Sequence, residues 1–280
     1  MANLLLFSHQ PKLVEQVKNA IKELDFSLHA HQAPSDLTPQ DQNKAVEKNR
    51  PGEPTTGADA DTFAAIVELQ PAMILFDLDN PAVNWKKWMP ILKASPATRR
   101  SPIVVWAAEM PSDTRTVARS RGAEIAVSQE IFLRDVAKII GKKALTVDHE
   151  AIQQACLEPL SAHAIKGLEL FNEGEYYDCH EELEHAWNED KGAARELYRG
   201  VLQVAVAYLQ IERGNYNGAV KMLMRVKQWL DPLPNTCRGI DIQKLRTDAD
   251  AVYQQLKELG RDRLDEFDQS SFQPVSYQIS

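Results

Sequence analysis

Short unbroken apolar runs alternate with segments of helical spacing through the first half of the chain. Asn3–Phe7 (NLLLF), Met73–Phe76 (MILF) and Ile103–Trp106 (IVVW) have no polar interruption after the first residue, as strands buried on both faces should. Phe26–His31 alternates and reads as a further strand, and Ile125–Val127 as a short fifth. Between them, apolar positions recur every three or four residues. Leu13, Val17, Ala20, Ile21 and Leu24 mark one helix, and Phe63, Ile66 and Val67 another. Trp85 to Leu92, Thr114 to Arg121 (closed by Gly122) and Phe132 to Ile140 mark three more. From about Ala33 to Asp61 large apolar residues almost vanish, which predicts a disordered insertion over about residues 34–60. Alternating strand and helix implies a parallel sheet covered on both faces, over residues 1–140.

After residue 140 the strand pattern stops. A polar linker over 141–154 leads into helical segments only: Leu160–Asn172, Glu175–Trp187, Ala193–Arg213, Tyr216–Leu230 and Ile242–Leu259. The middle of the third, VLQVAVAYL, is apolar almost all round and should be the buried centre of an all-α domain spanning 155–260. Gly174-x-Tyr176 and Gly214-x-Tyr216 stand forty residues apart, each at a helix–helix turn where glycine supplies a left-handed cap. Two such copies are too few for a solenoid. The stretch Asp231–Gly239 holds two prolines and reads as a loop, and residues 261–280 as a mobile polar tail.

Composition narrows the function classes. Of 280 residues, 44% are hydrophobic and 26% charged, ordinary for a globular chain with two cores. The net charge of −8 is uneven, because residues 1–140 carry 16 Lys and Arg against 17 Asp and Glu. The second half is therefore the acidic one, which argues against nucleic acid as a partner. No apolar run reaches the length of a membrane span, and the start is too short and weakly basic for a secretory signal. Cys156, Cys179 and Cys237 are odd in number and widely spaced, so a cytoplasmic location with three reduced, buried thiols is expected.

The first half resembles the receiver domains of two-component response regulators. PAMILFDLDNP is similar to that family's third strand and turn, NLLLFSHQP to the first strand, and SPIVVWAAE and GAEIAVSQEIF to the fourth and fifth. The resemblance implies a flavodoxin-like fold with strand order 2-1-3-4-5 and places Asp77 at the phosphoacceptor position. It also implies an acidic pair for magnesium after the first strand, where this chain has Ser8 and His9. Ala107 stands where a hydroxyl residue is expected, Gln129 where a lysine is, and Glu130 where a proline is. The expectation is a pseudo-receiver that does not take up a phosphoryl group.

The second half is similar to a helical family known as domain-of-unknown-function family 309. The shared pattern runs through Gly174, Tyr176, His180, Glu181, Glu184, Trp187, Leu197, Tyr198, Gly200, Gln203, Arg213, Gly214, Asn215, Gly239, Ile240 and Asp241. The resemblance implies an all-α bundle and no activity. Within it, His180, Glu181, Glu182, Glu184 and His185 crowd one helix beside the apolar stripe of Tyr176, Cys179, Leu183 and Trp187. His180-Glu181-x-x-Glu184 resembles a zinc-hydrolase motif with a carboxylate for its second histidine, and Glu182-x-x-His185 has di-iron spacing. The following helix offers Arg199 and Gln203, which suit carboxylates better than metals.

Three readings follow for His180, Glu181, Glu184, Arg199 and Gln203: a buried salt-bridge network, a ligand or partner pocket, or a metal site on His180 and Glu184. In the network reading Glu182 and His185 are solvated. The leading function is a regulatory or scaffolding protein, with a docking pseudo-receiver fused to a helical binding domain. It would use no cofactor, take a protein partner, and admit a homodimer. A metal-dependent enzyme with a His-Glu-x-x-Glu site is the alternative, and a regulator phosphorylated on Asp77 the third.

Overall fold

The computed structural model describes residues 1–38 and 57–279; most of the expected insertion, residues 39–56, lies outside them. The chain divides into two compact units, Met1–Thr146 and Val147–Ser280. The first contains β1 (Ala2–Phe7), α1 (Pro11–Ala20), β2 (Phe26–His31), α2 (Gly57–Leu69) and β3 (Met73–Asp77). It continues with α3 (Trp85–Ala94), β4 (Ile103–Ala107), α4 (Ser112–Ser120), β5 (Ile125–Ser128) and α5 (Gln129–Lys143). The ends of the expected insertion are ordered: Pro34–Leu37 is a short 3₁₀ turn, and residues 57–60 open α2.

The five strands form one sheet in the order β2-β1-β3-β4-β5, and every pairing is parallel. This is the flavodoxin-like arrangement expected from the sequence. All residues of β3 and β4 are buried, which explains their unbroken apolar runs. Side chains alternate between two cores. Leu4, Leu6, Met73, Leu75, Val104 and Trp106 pack with Leu13 and Val17 of α1 and Phe132, Val136 and Ile140 of α5. The Trp106 and Phe132 rings stack at 4.1 Å. Burying each such large side chain stabilises the fold by roughly 1.5–3 kcal/mol.

The second unit contains α6 (His149–Ala155), α7 (Ala162–Glu173), α8 (Tyr176–Glu189), α9 (Glu196–Glu212), α10 (Tyr216–Leu230), β6 (Thr236–Cys237), β7 (Ile240–Asp241) and α11 (Ile242–Leu259). Ten residues of α9 are buried, so the apolar stretch is the domain's centre as its pattern implied. Gly174 and Gly214 have φ of 84° and 68°, the left-handed caps that the Gly-x-Tyr repeat required.

Four expectations are corrected. The linker is shorter than 141–154, because α5 runs to Lys143 and α6 begins at His149. The segment Asp231–Gly239 ends in half of a hairpin, whose two-residue turn is Arg238-Gly239 with φ of 51° and 81°. Left-handed dihedrals at both positions are what a turn between two-residue-linked antiparallel strands demands. A side chain at Gly239 would place its Cβ 2.1 Å from the Gln278 carbonyl oxygen. The tail is packed rather than mobile: Phe272 stacks on Tyr208 at 4.1 Å, Val275 exchanges hydrogen bonds with Asn172, and Tyr277 pairs with Ile240. Burial of Phe272 and Val275 partners supplies what its polar composition concealed.

The fourth correction concerns the cysteines. Cys156 and Cys237 form a disulfide across 81 positions, and only Cys179 remains a thiol, buried and raised to about 12 by desolvation. In the chain-entropy account a loop of that size stabilises by about 4–5 kcal/mol. The wide spacing that argued against pairing in the sequence is spanned when the hairpin returns to the end of α6. Thiol titration in denaturant is expected to find one reactive cysteine per chain before reduction and three after it. Three before reduction would remove the crosslink.

Candidate functional site

Two clusters of polar side chains stand where the sequence pointed, one in each unit. In the first, β3 ends at Asp77 beside the end of β1, in the register Phe7↔Phe76. Asp77 is fully buried. Its Oδ2 accepts from the Ser8 hydroxyl at 2.8 Å and from Gln10 Nε2 at 3.1 Å. Its Oδ1 accepts from the Asp79 amide at 3.1 Å. His9 Nδ1 lies 3.6 Å from Oδ2.

The neighbouring positions close the site further. Gln10 Nε2 also reaches Gln129 Oε1 at 3.1 Å, so one amide spans from the carboxylate to the residue that replaces the expected lysine. Asp79 is turned away from Asp77: its Oδ2 accepts from the Ala108 amide at 2.6 Å. Ser8 and Gln10 thus fill with neutral donors the space where carboxylates would hold a cation. Among the described residues Ser8 and His9 bring no second carboxylate beside Asp77, and Gln129 brings no positive charge. Gln10 was not among the residues singled out in the sequence; its place after Ser8-His9 was the only signal.

The acidic-histidine helix is arranged differently from the expected closed network. On α8 the buried stripe is Tyr176, Cys179, Leu183 and Ala186. Glu181 and Glu184 are exposed, and His180 and Gln203 are half-buried. Two of the expected carboxylates therefore face water, and Arg199 is engaged elsewhere. Arg199 Nη1 pairs with Glu196 at 3.2 Å, and its guanidinium lies 4.0 Å from the Trp187 ring and 4.6 Å from the Trp229 ring. Arg195 lies over Trp187 at 4.1 Å and donates to its carbonyl. The result is a stack of arginine and tryptophan, not a carboxylate network.

Glu182 and His185 are not merely solvated. His163 Nδ1 stands 2.6 Å from Glu182 Oε2, and the His163 and His185 rings stack at 5.2 Å. The bond to Glu182 raises the His163 pKa above its ordinary value. Among the described residues no three His, Cys, Asp or Glu side chains converge as a metal site needs, so His180 and Glu184 lack a third ligand.

The closed polar network of this domain is built elsewhere, on Arg238. Its side chain is 4% exposed. Nη1 donates to Tyr198 Oη at 2.6 Å and pairs with Asp190 at 2.7 Å, and Nη2 donates to Glu158 at 2.7 Å. Nε donates to the Ala155 carbonyl, and the Arg238 amide to the Cys156 carbonyl. Burial acts to lower the Arg238 pKa, and Tyr198, Asp190 and Glu158 together outweigh it and hold it above the ordinary value. Little in the sequence points to this hub, because its partners come from three separate segments: residues 155–158, Asp190 and Tyr198.

Comparison with known proteins returns matches to each half of the chain. Residues 164–222 match the family model described as Domain of unknown function (DUF309). The DUF309 segment runs from α7 into α10 and includes the Arg–Trp stack except Trp229. Among solved structures, the response regulator RPA3017 of R. palustris red light signaling is similar at 12% identity and a TM-score of 0.37. It covers 50% of this chain and 92% of that one. A CheY-like receiver domain protein from Methanospirillum hungatei JF-1 is similar at 11% identity and 0.36, covering 51% and 93%. A receiver domain from Rhodospirillum rubrum is similar at 16% and 0.34, covering 49% and 90%. No curated protein matches.

Removing one member of a buried ion pair leaves its partner uncompensated, at a cost of roughly 3–5 kcal/mol. Arg238→Met is therefore expected to lower the melting temperature of the helical domain by many degrees. Glu184→Gln, on an exposed face, is expected to change stability by less than about 0.5 kcal/mol. Thermal melts of the two variants check this; equal effects would contradict the assignment of Arg238 as the hub.

Proposed function

We propose that this is a regulatory or scaffolding protein whose receiver-like domain works as a docking module, without phosphotransfer, beside a helical binding domain. The observation that carries the reading is the satisfied state of Asp77: three donors fill its oxygens, and none of them is replaced by a metal-binding carboxylate. A phosphoryl acceptor needs an accessible oxygen and a cation to neutralise the charge that develops in transfer. Asp77 is buried, and Ser8, Gln10 and Gln129 beside it bring neither a carboxylate to hold a cation nor a positive charge.

The reading includes a protein partner and a cytoplasmic location. No helix among the described residues is long and apolar enough to cross a membrane. Cys237 is fully buried and Cys156 nearly so, which slows attack on the disulfide by external thiols. The metal-dependent alternative finds no support in the geometry around His180 and Glu184.

Incubation with acetyl phosphate and magnesium, read by intact mass, tests the central element. The expected result is an unchanged mass. A stable gain of one phosphate that disappears in Asp77→Asn would overturn the reading and restore the phosphorelay alternative.

A further inference from the structure

The charge of this protein is segregated far more sharply than the two halves suggest. Residues 85–121 carry eight Lys and Arg against two acidic residues, in a chain of net charge −8. Two of them, Lys93 and Arg121, line one open groove between α3 and α4, with a volume of about 620 Å³, together with Pro90, Val117, Ser120 and Gly122. Lys86, Pro90 and Lys93 lie three and four residues apart, one stripe of α3. Arg121 reaches across from the end of α4 to donate to the Lys86 carbonyl at 2.7 Å. Arg99, exposed, lends its carbonyl to Lys93, which also pairs with Glu124 at 3.2 Å. The centre of the groove is apolar, with Val117 among the exposed large hydrophobic residues.

The opposite surface is present in the same chain. Residues 173–190 hold eight Asp and Glu and no Lys or Arg. On α8 the outer face carries Asp178, Glu181 and Glu184, all exposed, beside Tyr177, whose ring is 57% exposed. A tyrosine flanked by carboxylates complements Pro90 and Val117 beside Lys93 and Arg121, with exposed Lys86 on the same stripe of α3, in both apolar and charged character. Aromatic residues and arginine are the side chains that anchor interfaces most often.

We propose that the α3–α4 groove is a docking surface for the acidic outer face of α8 on a second copy of this chain. The proposal rests on the docking reading of the first domain, and names its site and its partner. Each chain carries both surfaces, so either copy can offer its groove to the other's α8. The contact joins two charged surfaces, so the pair is weak and governed by charge.

Sedimentation velocity on the full chain tests this. At about 50 mM salt the wild type is expected to show concentration-dependent dimers, and at about 500 mM, where screening is within a few ångströms, monomers. Lys86→Glu with Arg121→Glu, and separately Glu181→Lys with Glu184→Lys, should each give monomers at low salt. An equimolar mixture of the two doubly substituted chains should dimerise again, because groove and helix then carry exchanged charge. A wild type that stays monomeric at low salt, dimers indifferent to salt or to both substitutions, or a mixture that fails to re-form them would overturn the proposal. So would binding of a duplex oligonucleotide by a monomeric chain, lost on groove reversal, which would make the groove a nucleic-acid surface. None of these outcomes bears on acetyl phosphate labelling, so a failure here is distinct from a failure of the function proposed above.

Discussion

A carboxylate at the buried end of a strand has to be satisfied by whatever stands next to it. Asp77 is fully buried, and an uncompensated charge there would cost several kcal/mol. Its compensation comes from Ser8, Gln10 and the Asp79 amide, and the first two are delivered by β1 through its pairing with β3. The sheet that forms the core is thus also what positions the donors. Ser8 and His9 stand where the resemblance implies an acidic pair, and the Ser8 hydroxyl and the Gln10 amide bond Asp77 from this chain itself.

The helical domain obeys the same rule with the opposite sign. Arg238 is a buried cation, surrounded by Asp190, Glu158, Tyr198 and the Ala155 carbonyl. These groups tie the hairpin turn to the segment after α6, to the end of α8 and to the start of α9. The disulfide from Cys237 to Cys156 fixes the same junction covalently, one residue away. The left-handed backbone of Arg238 is an unfavoured conformation for a residue with a long side chain, and these bonds offset it.

The sequence was informative where local pattern decides structure. Buried parallel strands must be unbroken apolar runs, so NLLLF, MILF and IVVW were visible as strands; their alternation with helices implied a parallel sheet, and the order came from the resemblance to receiver domains. Ser8, Ala107 and Gln129 could be read because they stand at positions fixed by strand ends. It was uninformative where partners come from afar. Arg238 meets groups at 155, 158, 190 and 198, and Cys237 meets Cys156, none of which any spacing rule connects. The network drawn for α8 failed for a related reason. Helical spacing places Glu181 and Glu184 beside the apolar stripe, but only the packing of α7 and α9 decides which flank is covered. Those two flanks were left to water, and Arg199 turned to Trp187 and Trp229.

The account depends most on the claim that the Asp77 oxygens are already occupied by neutral donors from this chain. Titration with magnesium, followed by the amide resonances of Ser8, Asp77 and Gln129, examines that directly. If the donors hold, the three signals should show no saturable shift up to roughly 20 mM, far above what a carboxylate-built magnesium site requires. Concerted, saturable movement of all three, lost in Asp77→Asn, would mean that the site opens to a cation and would contradict the account.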